Sequence, residues 1–301
     1  MNTLSLLRGG KLAGVRRLDL CCGLTQFPDE IYDLADTLEI LNLSGNALNS
    51  LPDDLPRLHR LRVIFCSDNR FTRLPEVLGQ CPALDMIGFK ANQIKQLPSE
   101  SLPAALRWLI LTDNCLNSLP EDLGRYTRLQ KLMLAGNQLR QLPDSMVACR
   151  NLELLRISAN RFESLPDWLL SLPRLAWLAY AGNPFSDAFR DEQTVNHIHW
   201  HHLDLQHRLG EGASGIVHKA DWRAPDGARE VAIKLFKGAV TSDGFPRSEK
   251  AACLAAGVHP NLIAATGRIV GHPDGVAGLV MPLVEASFKN LAGPPSLDSC
   301  T

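Results

Sequence analysis

The stretch LRWLILTDNCL, residues 106–116, has leucine at its first, fourth, sixth and eleventh positions and asparagine at its ninth. The same spacing of apolar residues and asparagine recurs, without gaps, in LEILNLSGNAL (38–48), LRVIFCSDNRF (61–71), LDMIGFKANQI (84–94), LQKLMLAGNQL (129–139), LELLRISANRF (152–162) and LAWLAYAGNPF (175–185). Successive asparagines are 22 or 23 residues apart. A fixed period of this length indicates a solenoid, in which each short unit buries its apolar face against the next.

The repeated pattern is the L-x-x-L-x-L-x-x-N-x-L signature of leucine-rich repeats. An irregular first copy, VRRLDLCCGLTQFP, has Gly23 at the asparagine position. We therefore predict a horseshoe-shaped α/β leucine-rich-repeat solenoid of about eight repeats over residues 1–190. Leucines such as Leu109 and Leu111 should point inward from short strands. The asparagines should satisfy backbone groups of the turns and connect neighbouring repeats, and short helical returns should follow the Leu-Pro dipeptides.

The strand positions between the inward leucines predict an unusually apolar surface, which we call the concave face. It consists of Ile40, Asn42, Val63, Phe65, Met86, Lys90, Trp108, Ile110, Lys131, Met133, Leu154, Arg156 and Trp177. Some apolar exposure is ordinary for a protein surface, but a large apolar patch with charges around it is typical of partner-binding sites. We predict that a protein binds Phe65, Met86, Trp108, Ile110, Met133, Arg156 and Trp177. The partner is either another protein or, through intramolecular contact, the C-terminal part of this chain.

Composition excludes several classes of function. The net charge is −1, so no strong field favours nucleic acid or an anionic membrane surface. The apolar patch near the N-terminus is too short for a signal peptide or a membrane span. The eight cysteines include no CxxC pair. This usage argues against a disulfide framework and favours a reducing cytoplasm.

A polar stretch follows the last repeat, and we predict that residues 191–204 form a cap and linker. Its histidines, His197, His199, His201 and His202, raise the alternative of a metal site, because alternating histidines on a strand can share a face. No cysteine or carboxylate completes a ligand set in this stretch. We therefore predict a solvated connection that leads into a strand, and no metal site.

A glycine-rich segment, LGEGASGIV at residues 209–217, is followed by VAIK at residues 231–234. A G-x-G-x-x-G sequence also occurs in dinucleotide-binding domains, where a helix follows the glycines and an acidic residue comes about twenty residues later. Here a strand-like run, Ile216 to Ala220, follows instead, and the later residue is Lys234. The pattern therefore favours a β-hairpin with the glycines near its turn.

Residues 205–301 resemble the N-terminal lobe of a eukaryotic-type protein kinase, an α+β unit with an antiparallel sheet and one helix. The motifs that carry the resemblance occur in the family's order: the glycine-rich loop, VAIK, Glu249, HPNLI at 259–263 and LVMPLV at 279–284. The whole chain, repeats followed by such a lobe, is similar to bacterial leucine-rich-repeat protein kinase-like proteins. The family implies ATP binding and Ser/Thr-type protein phosphorylation in signalling.

The resemblance also implies an ATP site. Its glycines let the hairpin backbone approach the phosphates, Lys234 neutralises them, and Glu249 is the helix partner of that lysine. Val217 and Ala232 contact the base, Met281 is the gatekeeper, and Pro282 and Val284 belong to the hinge. The full set is Leu209, Gly210, Gly212, Gly215, Val217, Ala232, Lys234, Glu249, Met281, Pro282 and Val284.

The catalytic motifs of the kinase family are missing from this sequence. There is no His-Arg-Asp catalytic loop and no Asp-Phe-Gly motif to hold magnesium. Since phosphoryl transfer depends on positioning and on metal-assisted charge neutralisation, we expect this chain to be catalytically incompetent, with magnesium used only where a complete C-lobe is present. It resembles a truncated kinase. The alternative is a non-catalytic scaffold that uses the concave face for protein interaction.

Overall fold

The computed structural model of the protein describes residues 3–187, 196–212, 214–237, 263–285 and 287–288. The described chain divides into two compact units, and the division falls between residues 187 and 196. Glu249 lies outside the described residues, as do the helix predicted around it, nearly all of HPNLI, and residues 191–195 of the predicted linker.

The first unit contains an eight-stranded parallel sheet in which the strands follow chain order. The strands are β1 (Arg17–Asp19), β2 (Ile40–Asn42), β3 (Val63–Phe65), β4 (Met86–Gly88), β5 (Trp108–Ile110), β6 (Lys131–Met133), β7 (Leu154–Arg156) and β8 (Trp177–Ala179). Short α-helices α1 (Thr3–Arg8) and α2 (Pro184–Asp187) lie at its two ends. The sheet agrees with the predicted solenoid.

The returns between strands are 3₁₀ turns, tighter than α-helices. They span Asp29–Leu34, Leu55–Arg57, Glu76–Gln80, Ser99–Ser101, Leu123–Arg125, Asp144–Ala148 and Asp167–Ser171. The tight spacing depends on glycine, because a Cβ at Gly124 would lie 1.9 Å from the Ser145 carbonyl oxygen of the next repeat. A Cβ at Gly79 would likewise lie only 1.8 Å from the Glu100 carbonyl oxygen.

The core of the first unit lies behind the sheet. The middle residue of each strand from β1 to β7 is buried, and Leu109 and Leu111 are both inaccessible to solvent, as predicted. Phe71 and Phe89 pack edge to face with ring centroids 4.9 Å apart. Because each repeat has only three strand residues, its leucines are buried mainly by the neighbouring repeats.

The predicted asparagine ladder is present. Asn137 is typical: its Oδ1 accepts a hydrogen bond from the Leu116 N–H at 2.9 Å, and its Nδ2 donates to the Leu111 carbonyl at 2.9 Å. Each ladder residue bonds backbone groups of the preceding repeat; the others are Asn46, Asn69, Asn92, Asn114, Asn160 and Asn183. The side chains thereby supply partners to backbone groups that the turns leave unpaired.

The residue before each of these asparagines has a left-handed backbone conformation. In four repeats it is not glycine, as at Ala91 and Ala159, both with φ of 52°. Glycine occupies the position in the other three, with φ of 72° at Gly45 and 70° at Gly136. The turn therefore imposes its conformation on alanine and aspartate, at a cost of about 1 kcal/mol for each such residue.

The second unit is built on a six-stranded mixed sheet. Its strands are β9 (His197–His199), β10 (Leu203–Glu211), β11 (Gly215–Ala224), β12 (Gly227–Phe236), β13 (Gly267–Val270) and β14 (Gly278–Pro282). Their spatial order is β10-β11-β12-β14-β13-β9, and only β9 and β13 pair in parallel. A 3₁₀ turn at Trp200–His202 connects β9 to β10.

One face of this sheet carries the core of the second unit. The core side chains come from alternate positions along the strands, as Val231 and Ile233 do on β12. Ala232, between them, is also buried but points to the opposite face. The core consists of Ile198, Leu203, Ala220, Val231, Ile233, Ile269 and Val280, with Trp200, Trp222 and Leu235 packed against it.

The predicted linker over residues 191–204 is wrong for its described part, because residues 197–199 form β9 within this sheet. Ile198 is only 3% exposed and lies in register with Ile269. The Arg268 N–H donates to the Asn196 carbonyl at 2.9 Å. His197 and His199 are exposed on either side of the buried isoleucine, so the polar composition concealed a three-residue alternating strand.

Candidate functional site

Within the strands, the concave face is formed by two rows of side chains, because the outer residues of each three-residue strand point away from the core. Lys90, predicted to belong to this face, is exposed but follows the end of β4 and lies outside the two rows. The first row is Arg17, Ile40, Val63, Met86, Trp108, Lys131, Leu154 and Trp177; the second is Asp19, Asn42, Phe65, Gly88, Ile110, Met133, Arg156 and Ala179. Residues adjacent within a row are register partners on neighbouring strands. All the predicted partner-binding residues belong to these two rows.

Exposure along the concave face is uneven. Trp177 is 53% exposed, and the other predicted partner-binding residues except Met86 are half-buried. The structure corrects the prediction for Met86, which is 8% exposed. Its register partners are Val63 and Trp108, and the side chains around it leave it little surface to offer a partner.

Two cations on the concave face lie over tryptophan rings. The Lys131 Nζ is 3.6 Å from the centroid of the Trp108 ring, and the Arg156 Cζ is 5.5 Å from that of Trp177. An ammonium or guanidinium group within about 6 Å of an indole face is attracted by the ring quadrupole. The aromatic residues therefore help to orient the positive charges of this surface.

Gly88 belongs to the concave face, and the sequence reasoning missed it. A Cβ there would lie 2.5 Å from the Phe65 ring carbon Cδ1 and 3.8 Å from the Ile110 Cδ1. The Phe65 ring thus leans over the space that a side chain at residue 88 would fill. The signal in the sequence was a small residue in a row otherwise occupied by larger ones.

The beginning of the sheet is polar and internally paired. Arg17 and Asp19 form an ion pair at 2.7 Å, and Asn42 donates to the Asp19 carboxylate at 2.9 Å. The Arg17 guanidinium lowers the pKa of the Asp19 carboxyl. The apolar and cationic part of the concave face accordingly lies from β3 onward.

In the second unit, the glycine-rich segment forms the predicted hairpin between β10 and β11. The Gly212 N–H donates to the Gly215 carbonyl at 2.9 Å, and the Lys237 N–H donates to the Ser214 carbonyl at 3.0 Å. Glu211 forms ion pairs with both Arg208 and Lys237. The loop is therefore connected to the end of β12 through backbone and side-chain contacts.

Several residues of the predicted ATP site lie on one face of the sheet, opposite the core. Val217 is in register with Lys234, and Ala232 with Met281, and directly opposed strand residues share a face. The Lys234 Nζ lies 5.2 Å from the Phe236 ring centroid. Leu209, Pro282 and Val284 are exposed.

The three loop glycines differ in their surroundings. A Cβ at Gly215 would lie 2.5 Å from the Leu235 carbonyl oxygen, so the fold itself requires glycine there. At Gly210 and Gly212, a Cβ would have no neighbour within 4 Å among the described residues. Contacts in the described part of the chain therefore account for one of the three glycines.

The histidine cluster includes His199, His201 and His202, with ring centroids 4.2–6.0 Å apart. Desolvation lowers the pKa of His202, and the nearby His201, His199 and Arg223 lower it further. Within the described ranges, no group of three or more histidine, cysteine or acidic side chains has an arrangement that could hold a metal ion.

The six cysteines within the described residues are all free thiols. Cys66, Cys81 and Cys149 are buried in the solenoid. Burial raises the pKa of the Cys81 thiol and of the Cys149 thiol to about 11. They therefore act as apolar core residues. No helix among the described residues is long and apolar enough to cross a membrane.

Family models of leucine-rich repeats match two parts of the chain, residues 37–58 and residues 127–185. These ranges coincide with the period and the parallel sheet described above. The first unit is built of leucine-rich repeats.

Curated relatives match parts of the chain at about one-third identity. The leucine-rich repeat and calponin homology domain-containing protein 1 of Mus musculus is 31% identical over 98 residues, which are 33% of this chain and 14% of that protein. The probable inactive serine/threonine-protein kinase roco10 of Dictyostelium discoideum is 32% identical over 112 residues, 36% of this chain and 4% of that protein. This chain therefore spans a small fraction of either relative. The similarity to roco10 lies in the repeats, so the kinase-like character of the second unit stays a prediction.

Two solved structures are similar over about half of the chain. One is the leucine-rich-repeat protein LIC12759 of Leptospira interrogans, with 28% identity and a TM-score of 0.47 over 55% of this chain and 48% of that one. The other is a chain of the Toll–Spatzle complex of Drosophila, with 26% identity and a TM-score of 0.49 over 57% of this chain and 27% of that one.

Proposed function

We propose that this protein binds another protein through the concave face of its repeats. The observation that carries the proposal is the cluster on β5 to β8, where aromatic and aliphatic side chains remain accessible beside two cations. Trp108, Ile110 and Met133 are half-buried, and Trp177 is more exposed than they are. Tryptophan and arginine are the residue types most enriched among binding hot spots.

The way in which the cluster is held also supports a binding role. Its side chains come from strands whose middle residues are fixed in the core, as Leu109 and Leu132 are. A rigid surface loses little conformational entropy when a partner binds, so more of the contact energy appears as affinity.

The test is a selection of binding peptides with the whole chain as bait, using a phage-displayed library of random 16-residue peptides. Trp108→Ala should weaken the binding of the selected peptides by about 2 kcal/mol or more, because it removes a central aromatic anchor. The binding constants are measured by calorimetry on the full chain.

The matched control is Leu170→Ala, which alters a side chain that is 78% exposed within the 3₁₀ turn Asp167–Ser171. This variant should bind the same peptides with unchanged affinity. Peptides that bind both variants as tightly as the unaltered chain would contradict the proposal, and so would a selection without enrichment.

A second candidate function, nucleotide binding by the second unit, is favoured by the glycine-rich hairpin. Gly210 and Gly212 have open space where a side chain would lie, and a phosphate group approaching the backbone would account for glycine at both positions. Val217 and Lys234 are register partners beside this hairpin, and Ala232 is the register partner of Met281. ATP is the proposed ligand.

The test is a thermal-shift titration of the full chain with ATP, with and without magnesium. Lys234→Met should abolish a saturable rise in Tm, because it removes the charge expected to contact the phosphates. Lys95→Met, an exposed lysine of the repeats, should leave the rise unchanged. A flat titration of the unaltered chain would contradict nucleotide binding. Equal shifts in both variants would place the ligand elsewhere.

A further inference from the structure

We propose that the histidine cluster, formed by His199, His201 and His202, makes the attachment of β9 to the second sheet sensitive to acid. At neutral pH the cluster is uncharged and β9 stays paired with β13. Protonation of the cluster releases β9, while the hairpin of β11 and β12 stays formed. This device belongs to the second unit and is independent of both proposed ligands.

The first observation is that the three rings lie against one another. The ring centroids of His201 and His202 are 4.2 Å apart, and the His199 ring lies 5.3 Å from the first and 6.0 Å from the second. Neutral imidazole rings tolerate such contacts, whereas positively charged rings at these distances repel one another. The packing of the cluster therefore favours its neutral form.

The charged groups beside the cluster do not compensate for protonated rings. From β11, the Arg223 guanidinium donates to the His201 carbonyl at 3.2 Å, which places a permanent positive charge close to the cluster. The Asp204 carboxylate, on β10, pairs with that guanidinium at 3.1 Å. Asp221, in register with Asp204, accepts a hydrogen bond from Gln206. Among the described side chains, no carboxylate forms an ion pair with a histidine of the cluster.

A fourth histidine faces the same turn from the loop between β13 and β14. The centroid of the His272 ring lies 4.2 Å from that of Trp200, and the His272 Nδ1 accepts a hydrogen bond from the Asp274 N–H at 3.1 Å. A ring nitrogen that accepts a hydrogen bond carries no proton, and the Asp274 side chain is exposed. Trp200 packs against the core of the second unit, so the histidines surround the aromatic residue that anchors the turn.

The second observation is that few contacts hold β9. It lies at the edge of the described sheet and pairs there with β13 alone, and Ile198 is its one buried residue. His197, at its other end, is in register with the cation Arg268. Short edge elements with little buried surface open at a lower free energy than the rest of a domain.

The direction of the pH effect follows from His202. Its pKa lies below the ordinary value of 6.5, because of desolvation and the nearby His201, His199 and Arg223. Just below that value, the open form of the segment therefore binds protons more readily than the closed form does. The closed form consequently loses stability as the pH falls through this range.

The experiment is hydrogen exchange of the full chain, followed by mass spectrometry at about pH 7.5 and about pH 5.5, with labelling times scaled to the intrinsic exchange rate. Protection of the amides that join β9 to β13, including that of Arg268, should fall at least about tenfold at the lower pH. Protection of the amides between β11 and β12 should fall less than about twofold. Replacing all three cluster histidines with glutamine should abolish the tenfold loss and leave protection at the higher pH unchanged.

The matched control is His207→Gln, which alters an exposed histidine of β10 outside the cluster and should retain the loss. The proposal is overturned if the unaltered chain is equally protected at both pH values, or if the triple variant still loses protection in acid. A uniform loss across β10 to β14 would also overturn it, because release would not be confined to β9. A triple variant already unprotected at the higher pH would show that the rings act through packing, and it too would overturn the acid-sensitive role.

Discussion

The asparagine at the ninth position of each repeat acts as a substitute for backbone hydrogen bonding. Asn137 is 7% exposed, and its amide joins backbone groups of residues 111, 116 and 134. A side chain with one acceptor and two donors on a single planar group is needed for this, and asparagine is the shortest residue that provides it. The recurrence of asparagine every 22 or 23 residues therefore follows from the recurrence of the same turn.

Replacing Asn137 with alanine should lower the free energy of unfolding by about 1–3 kcal/mol, because the buried Leu116 N–H loses its acceptor and the Leu111 carbonyl loses one of its two amide donors. Urea denaturation followed by circular dichroism measures the change. Asn117→Ala, at an exposed asparagine in the same repeat, is the control and should change stability by less than about 0.5 kcal/mol. Equal effects of the two substitutions would contradict the structural role of the ladder.

At the scale of elements, β9 shows how little sequence is needed to extend a sheet. It has three residues, and only Ile198 among them is buried. Its pairing with β13 brings the otherwise polar segment into the second unit. The apolar contact and the backbone bonds together order a stretch whose composition is typical of a linker.

Ile198→Ala should therefore destabilise the second unit by about 2–5 kcal/mol, the usual cost of removing a buried isoleucine side chain. Hydrogen exchange at the amides of β12 and β13 measures this loss. His197→Ala alters the exposed neighbour and should leave that exchange unchanged. Exchange in β12 and β13 that is insensitive to Ile198→Ala would show that the segment is not part of this core.

At the scale of the whole molecule, the two candidate ligands are assigned to different units. If the second unit binds ATP, hydrogen exchange on the full chain should slow at the amides of residues 209–217, where phosphates are expected to contact the hairpin backbone. The amides of β1 to β8 should exchange at unchanged rates. The variant Lys234→Met should lose the protection. Protection confined to the repeats would contradict the assignment of the nucleotide to the second unit.

The residues of the glycine-rich loop illustrate the limit of motif reading. The motif predicted a β-hairpin, and the structure contains one between β10 and β11. Glycines that lie between two strand-like runs favour a turn, and the two runs then pair with each other. The motif did not show which of its three glycines the fold itself requires. Gly215 is close to the Leu235 carbonyl, whereas Gly210 and Gly212 are not close to any described group, and such distances exist only after β12 pairs with β11.

The sequence by itself determined the solenoid, its strand register and its ladder, because a motif repeated every 22 or 23 residues buries its recurring leucines when successive copies stack in register. It also determined which side chains line the concave face, since strand residues alternate between the two sides of a sheet. Only the tertiary structure decided that Met86 is covered, that Phe65 leans over Gly88, and that Lys131 and Arg156 lie over tryptophans. These facts depend on contacts between residues of different repeats, and local spacing carries no information about how much surface such neighbours cover. The same reason applies to β9, whose place in the sheet depends on β13, some 70 residues further along the chain.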